Sequence, residues 1–357
     1  MYISPRRGSG LTKIHVFPTG KIPAEILKRV IFKRLGAQSD RVLVGPGIGE
    51  DATVIDLGDR VLVLKTSPIT GAVRNIGWLV IHINANDIAA CGARPLWFLN
   101  TILLPEGADE ALLMEILADM DRAARGLGVA IVGGHTETVA GLSRPILVGF
   151  MIGEAAKDSY VATCNAQIGN SLILTKGAGI EGTAVLAEDL GKVLRKKISE
   201  EVLLRARRFI DSISVVDEAI KATQTGGVHS MHTPTEGGIL NGIWEMAEAC
   251  QKGVTTYRER IRIAPETKAI CDALGIDPLK TLASGALLIA AEQRKAGEIV
   301  SSLKEMGVEA SIIGEVTPIE EGRWVICEDG GREELLPQDQ DHVYKVLDKY
   351  GLGKPPA

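Results

Sequence analysis

Three glycines stand directly before two acids near the start of the chain: Gly45, Gly47 and Gly49 precede Glu50 and Asp51. Glycine permits positive φ and lets the backbone approach a ligand closely, and neighbouring carboxylates can hold Mg²⁺ on phosphate oxygens. We therefore name Gly47, Gly49, Glu50 and Asp51 as candidates for nucleotide and metal binding. A tight turn leading into a strand explains the pattern equally well, and the Gly-Lys-Ser/Thr of a Walker A loop is missing.

A polar pair, Asn86 and Asp87, interrupts an otherwise apolar helical stretch at residues 78–91. A buried Asp without a partner costs several kcal/mol. The pair is therefore either a local hydrogen-bonding device or a ligand for a cation, and we favour the ligand. Asp87 is also a candidate catalytic residue.

His135 and Glu137 follow a β-branched run. This position predicts that both side chains leave the end of a strand and enter a loop, where α/β folds usually place their chemistry. A lone histidine is more often structural. Its position makes His135 a candidate metal ligand and catalytic residue.

Two glycine turns in the second half of the chain each precede a predicted helix. Lys176, Gly177 and Gly179 belong to the first turn, and Thr235 and Gly237 belong to the second. Backbone N–H groups at a helix N-terminus point toward an anion, and a lysine adds positive charge. Each turn could be plain helix capping. Together they predict a phosphate site.

Hydrophobic spacing and turn residues predict alternating helices and strands. We expect helices at residues 23–36, 78–91 and 111–126, strands at residues 60–65, 144–152 and 171–175, and further elements at residues 181–190, 239–250, 286–291 and 296–306. A polar stretch at residues 153–167 predicts a domain boundary. We expect an N-terminal domain at residues 1–155, a C-terminal domain at residues 165–320 and a partly ordered polar tail at residues 321–357.

Composition excludes several classes of protein. The net charge of −5 and the lack of a Lys/Arg block disfavour nucleic acid binding, and no apolar run is long enough to span a membrane. The five cysteines are odd in number and never form C-x-x-C, which favours reduced thiols over disulfides or a zinc ribbon. No signal peptide is recognisable, so we expect a cytoplasmic protein.

Taken in order, these segments resemble the superfamily of aminoimidazole ribonucleotide (AIR) synthetase, thiamine-monophosphate kinase, selenophosphate synthetase and the hydrogenase maturation protein HypE. The HypE branch is most similar. Residues 86–95 look like its N-D-L-A-x-x-G-A-x-P, and residues 233–238 look like its D-P-T-R-G-G. Residues 274–279 and 312–316 match two further HypE stretches.

The resemblance implies a two-domain α/β (α+β) fold, with an N-terminal mixed sheet that forms a dimeric barrel and a C-terminal α/β domain. It also implies a homodimer that binds ATP and Mg²⁺ between the domains, with Glu50, Asp51, Asp87 and His135 at the metal. HypE dehydrates a carboxamide on its own C-terminal cysteine. Here the last cysteine is Cys327, so we expect action on a small molecule or a partner-borne group instead.

Three positions depart from the acids of the family pattern. The T-T-D motif is residues 65–67 here and ends in Ser67, the G-G-D-T motif has His135, and the N-E-G motif has Ser284. Fewer carboxylates weaken Mg²⁺ binding, and His135 favours another divalent metal such as Zn²⁺, Mn²⁺ or Ni²⁺. The chain is therefore either an ATP-dependent enzyme or a non-catalytic dimeric relative; HypE activity with a cysteine supplied in trans is a third reading.

Overall fold

The computed structural model describes residue 17, residues 19–72 and residues 74–350. Its strands form two sheets. The N-terminal sheet has the order β1-β2-β3-β6-β4-β5, in which only β4 and β5 run parallel. Its strands are β1 (Val42–Val44), β2 (Thr53–Asp56), β3 (Arg60–Ile69), β4 (Arg94–Pro105), β5 (Ala130–Val139) and β6 (Ile146–Ala156). The predicted mixed sheet is confirmed, and in this single chain it is open.

The helices of the N-terminal half are α1 (Ala24–Ile26), α2 (Ile76–Ala90) and α3 (Glu110–Leu127). Nearly every residue of α2 is buried, because the helix lies between the sheet and the C-terminal half of the chain. A helix in such a place is apolar on all sides, so the polar side chains within it need specific partners. Asn86 and Asp87 are both buried in α2, so each must have a hydrogen-bonding or charged partner in the surrounding structure.

The second sheet has the order β13-β12-β9-β11-β7-β10-β8. Its strands are β7 (Ser171–Thr175), β8 (Val228–His232), β9 (Gly253–Tyr257), β10 (Leu288–Ala291), β11 (Ala310–Thr317), β12 (Arg323–Ile326) and β13 (Arg332–Glu334). Its helices are α4 (Ile180–Asp189), α5 (Gly191–Leu194), α6 (Glu200–Arg207), α7 (Val216–Thr225), α8 (Gly238–Ala249), α9 (Pro265–Leu274), α10 (Gln293–Glu305) and α11 (His342–Lys349). The two-domain α/β fold predicted from the sequence is confirmed.

Two expectations differ from the structure. The helix predicted at residues 23–36 is only α1 followed by a short π-helix, Leu27–Ile31. Much of the predicted tail is built into the second domain, because β12 and β13 extend the sheet and α11 packs in a cluster with α4, α5, α6 and α9. Residues 351–357 lie outside the described residues. Among the residues that are described, no helix is long and apolar enough to cross a membrane.

The contact between α2 and α3 depends on a glycine. A Cβ at Gly77 would lie 2.2 Å from the carbonyl oxygen of Ile116, whereas a Cβ at Gly297 of α10 would meet nothing within 4 Å. We expect Gly77→Ala to lower the free energy of unfolding by about 1–3 kcal/mol through overpacking. Gly297→Ala should raise it by roughly 0.5–1 kcal/mol, since alanine restricts the unfolded chain. Urea unfolding of both variants tests this, and equal effects would contradict the close packing.

Candidate functional site

Two predicted acids from the N-terminal domain meet at one threonine of the C-terminal domain. Asp51 Oδ2 accepts from the Thr233 N–H at 3.0 Å, and its Oδ1 lies 3.2 Å from the Thr233 hydroxyl. The same hydroxyl donates to Asp87 Oδ1 at 2.6 Å. All three residues are buried. Thr233 therefore joins the two carboxylates across the domain boundary.

Each carboxylate is also paired with a protein cation. Lys65 of β3 places its Nζ 2.9 Å from Asp87 Oδ2. His232, at the end of β8, places Nδ1 2.9 Å from Asp51 Oδ1 and Nε2 3.0 Å from Glu245 Oε2. We call the whole set, with Lys21 at 3.2 Å from Glu245, the ion network. Its members are the cations Lys21, Lys65 and His232 and the anions Asp51, Asp87 and Glu245.

Two members of the ion network, His232 and Glu245, carry opposite charges at neutral pH. Burial opposes protonation of His232, but the Asp51 and Glu245 carboxylates outweigh it and raise its pKa to about 10. Burial likewise opposes ionisation of Glu245, but Lys21 and His232 lower its pKa to about 2. His232 therefore carries a positive charge and Glu245 a negative one. Buried charges are tolerated only in such paired arrangements.

Asn86 has the hydrogen-bonding role that we considered for it. Its Nδ2 donates to the Ile213 carbonyl at 2.8 Å, and its Oδ1 accepts from the Val215 N–H at 2.8 Å. These bonds tie α2 to the loop before α7. The Nδ2 and Oδ1 atoms of the Asn86 amide thus both bind backbone groups of the C-terminal domain.

The glycine segment at residues 45–49 is packed against protein. Gly49 approaches α8 so closely that a Cβ would lie 2.3 Å from the Glu245 carbonyl oxygen, and one at Gly47 would lie 3.0 Å from Glu50. Glu50 itself accepts from the N–H groups of Thr163 and Cys164 at 3.1 and 2.9 Å. This segment therefore holds the domains together in the described conformation.

The turn before α4 is likewise engaged. Lys176 pairs with Glu218 at 2.9 Å, and a Cβ at Gly177 would lie 2.5 Å from the Arg262 carbonyl oxygen. Gly179 is the left-handed N-cap residue of α4. The lysine that we expected beside a phosphate thus already has an acidic partner.

His135 lies apart from the predicted metal ligands. It is inside β5, where it pairs with Thr101 of β4, and does not enter a loop as we expected. The parallel pairing extends the strand through Glu137, whose carboxylate is 3.6 Å from the His135 ring. Both side chains are more than half exposed. Within the described ranges, no three His, Cys, Asp or Glu side chains are arranged to hold a metal ion.

The domain junction encloses a cavity of about 380 Å³ beside the ion network, here called the junction cavity. Its polar lining includes Lys21, Ser67, Glu181, Thr235, Glu236 and Ser284. Two of these, Ser67 and Ser284, are positions where the sequence departs from the family's acids. Ser284 Oγ is buried, lies beside Glu181 and meets no well-formed hydrogen bond among the described residues, which suits a group that binds a ligand.

Helix α11 closes one side of the junction cavity. Asp341 accepts from the Gly237 N–H and from the Val343 N–H, both at 2.7 Å, so it occupies the anion position expected at the second glycine turn. Tyr344 donates its hydroxyl to Glu236 at 3.2 Å. Burial raises the pKa of Asp341 to about 7. The end of the described chain therefore contacts the site directly.

Several of these residues were missed by sequence reasoning. Lys65, Glu181, His232 and Glu245 carry the electrostatics of the site, yet none was a candidate. The available signal was weak: Lys65 replaces the first threonine of T-T-D, and His232 stands directly before the matched turn. Lys65 and His232 pair with Asp87 and Asp51, which are more than 20 residues away in the sequence, so only the fold reveals these pairs.

Glu181 supplies a test by pH. Burial raises its pKa from 4.5 to about 7. The folded state then holds a proton that the unfolded state has lost, so the free energy of unfolding falls as pH rises from 4.5 to 7, by up to about 1.4 kcal/mol per unit. We expect Glu181→Gln to have a shallower slope in urea unfolding across this window. The exposed Glu320→Gln should follow the wild type, and an unchanged slope in Glu181→Gln would refute the shift.

Family models match both halves of the chain. The model for the N-terminal domain of AIR synthase related proteins matches residues 49–155, and the model for the C-terminal domain matches residues 167–326. A candidate hydrogenase expression/formation protein of Methanocaldococcus jannaschii is 30% identical over 314 residues, covering 85% of this chain and 90% of that protein. The carbamoyl dehydratase HypE of Bradyrhizobium diazoefficiens is 28% identical over 278 residues, covering 75% and 78%.

A solved structure of the hydrogenase maturation protein HypE in complex with ATP has a TM-score of 0.70 to this chain. The match has 22% identity and covers 92% of this chain and 98% of that one. At that identity, the likeness supports the shared fold. With the family models and the sequence relatives, it shows that the chain belongs to the AIR synthase related protein family, where its relatives include HypE hydrogenase maturation proteins.

Proposed function

We propose that this chain is a HypE-like enzyme that binds ATP and acts on a carboxamide or similar group carried by a small molecule or a partner protein. The relatives support this proposal, since one is a carbamoyl dehydratase and another structure holds ATP. The junction cavity is the observation that carries it. Its volume suits a small ligand, and its lining combines apolar walls with a few convergent polar groups.

Glu181 is the group in the cavity best suited to moving a proton. With a pKa of about 7, its carboxyl is present in both protonation states at neutral pH. The hydroxyls of Ser67 and Ser284 line the same space and can orient a polar ligand. Among the described residues that line the cavity, none is a cysteine. This supports a reacting group that is brought by the substrate.

The predicted divalent metal does not fit the residues as they are arranged. Asp51 and Asp87 already lie against protein donors and cations, and His135 is on an exposed strand away from them. The proposed reaction therefore has no step that uses a metal.

The cytoplasmic location stays a prediction.

A non-catalytic nucleotide-binding or scaffold relative is the alternative. Its support is the loss of acids at Ser67 and Ser284, both of which face the junction cavity. The two readings differ in turnover, so a kinetic measurement separates them.

Nucleotide binding and turnover test the proposed enzyme. We expect calorimetry to show ATP binding to the wild type and ADP or AMP release to increase with a panel of primary carboxamides. Glu181→Gln should retain binding but lose about 10²-fold or more in turnover, because proton transfer is removed. Glu320→Gln is the matched surface control. Binding without turnover would favour the scaffold reading, and no ATP binding would refute the proposal.

A homodimer through the N-terminal sheet is part of the proposal. The sheet leaves apolar side chains exposed, including Trp97, Phe150, Ile131 and Val132 at 37%, 37%, 42% and 54%. Strand β5 is the edge strand and is exposed along nearly all its length. Unpaired edges and apolar patches of this kind favour pairing with another chain. An antiparallel β5 pair centred on Thr136 would also set His135 of one copy opposite Glu137 of the other.

The oligomeric state tests this interface. We expect the wild type to sediment as a dimer and Val132→Asp to shift it toward the monomer, because a charge at the interface would lose its hydration. Met114→Asp is the control, since Met114 is 63% exposed on α3 and should leave the dimer intact. A monomeric wild type, or a dimer that survives Val132→Asp, would contradict the interface.

A further inference from the structure

We propose that Lys65 takes the place of a divalent cation in this chain, so that the Asp51–Asp87 pair is neutralised internally and the site binds an anionic ligand without metal. The anionic ligand rests on the proposed function. The inference that no divalent metal binds is independent of the proposed function, because it rests only on the contacts of the Asp51 and Asp87 carboxylates.

Every carboxylate oxygen of the two acids already has a donor from the protein. Each of the four carboxylate oxygens of Asp51 and Asp87 lies within 3.2 Å of a donor from Thr233, Lys65 or His232. Mg²⁺ and Mn²⁺ need oxygen lone pairs arranged around the ion at close range. Lysine offers only donors, so its ammonium group competes with a metal for the same carboxylate.

Lys65 is held in place by the fold. It lies within β3, paired with Met151 of β6, and its ammonium bonds Asp87 of the buried helix α2 at 2.9 Å. Its side chain keeps 22% of its surface exposed. An ammonium has three N–H donors, and the contact with Asp87 uses one of them. Ser67, two residues along and therefore on the same face of β3, lines the junction cavity. The remaining donors of Lys65 are thus offered to a phosphate-like anion on that side while the pair with Asp87 is kept.

The local sequence shows the same exchange of charge. Where the family pattern reads T-T-D, this chain has Lys65 and Ser67 at the two ends of the motif. The motif has lost a carboxylate and gained an ammonium group. Both changes make the site less attractive to a divalent cation and more attractive to an anion.

Restoring a metal site is the direct test. We expect the wild type to show no saturable Mn²⁺ binding in electron paramagnetic resonance titrations, whereas Lys65→Met and Lys65→Thr should bind Mn²⁺ at least about tenfold more tightly, because Asp87 loses its internal cation. Mn²⁺ at tenfold its Kd should then raise the Tm of these variants by roughly 3 °C. Lys157→Met is the matched control, since Lys157 pairs with Asp56 at the exposed surface.

Lys65→Arg keeps the charge and should bind no Mn²⁺, which separates charge from a general loosening of the site. Circular dichroism confirms that each variant is folded. Mn²⁺ binding by the wild type that is lost in Asp87→Asn would overturn the proposal, and this arm needs no lysine variant. Folded Lys65→Met that binds no Mn²⁺ would also overturn it.

ATP binding is measured in a separate experiment. ATP should bind the wild type equally with Mg²⁺ and with EDTA, and Lys65→Met should weaken binding in EDTA at least about tenfold. ATP binding that requires Mg²⁺ would overturn the inference. If ATP does not bind at all, the proposed function fails, while the Mn²⁺ results still decide whether Lys65 replaces the metal.

Discussion

The bridge from Thr233 to Asp51 and Asp87 is the interaction on which the site depends. It joins the two domains through carboxylates that are almost fully buried. Buried carboxylates need partners, since burial removes their hydration. Lys65 and His232 supply these partners. The contacts that pack the two domains together therefore also pair the charges of the site.

The same bridge explains why polar residues occur inside α2. Asp87 faces Thr233 and Lys65, and Asn86 binds backbone on the other side of the boundary. An apolar residue at Asn86 would leave the Ile213 carbonyl and the Val215 N–H without these partners, and such losses cost more than the hydrogen bonds contribute. Helix α2 is thus an apolar, buried helix that bonds to the C-terminal domain through two polar side chains.

Much of the fold could be predicted from the sequence, because periodicity is a local property. The strand at residues 171–175 and the helix over residues 78–91 lie where hydrophobic spacing places them. The candidate site was harder to predict. Gly49 fits tightly against α8, and a glycine in close packing looks the same in sequence as one that approaches a phosphate. His135 stays within a strand because its pairing with β4 extends beyond the local pattern.

The pairing of cations within the ion network also determines the chemistry next to it. Glu181 lies in the same junction cavity as Lys21, yet burial dominates its pKa and no cation offsets the rise to about 7. Lys21 is paired with Glu245, and Lys65 with Asp87. A free ammonium beside Glu181 would lower its pKa and keep it ionised at neutral pH. Because the cations of the ion network are paired within it, Glu181 keeps its raised pKa and can exchange a proton near neutral pH.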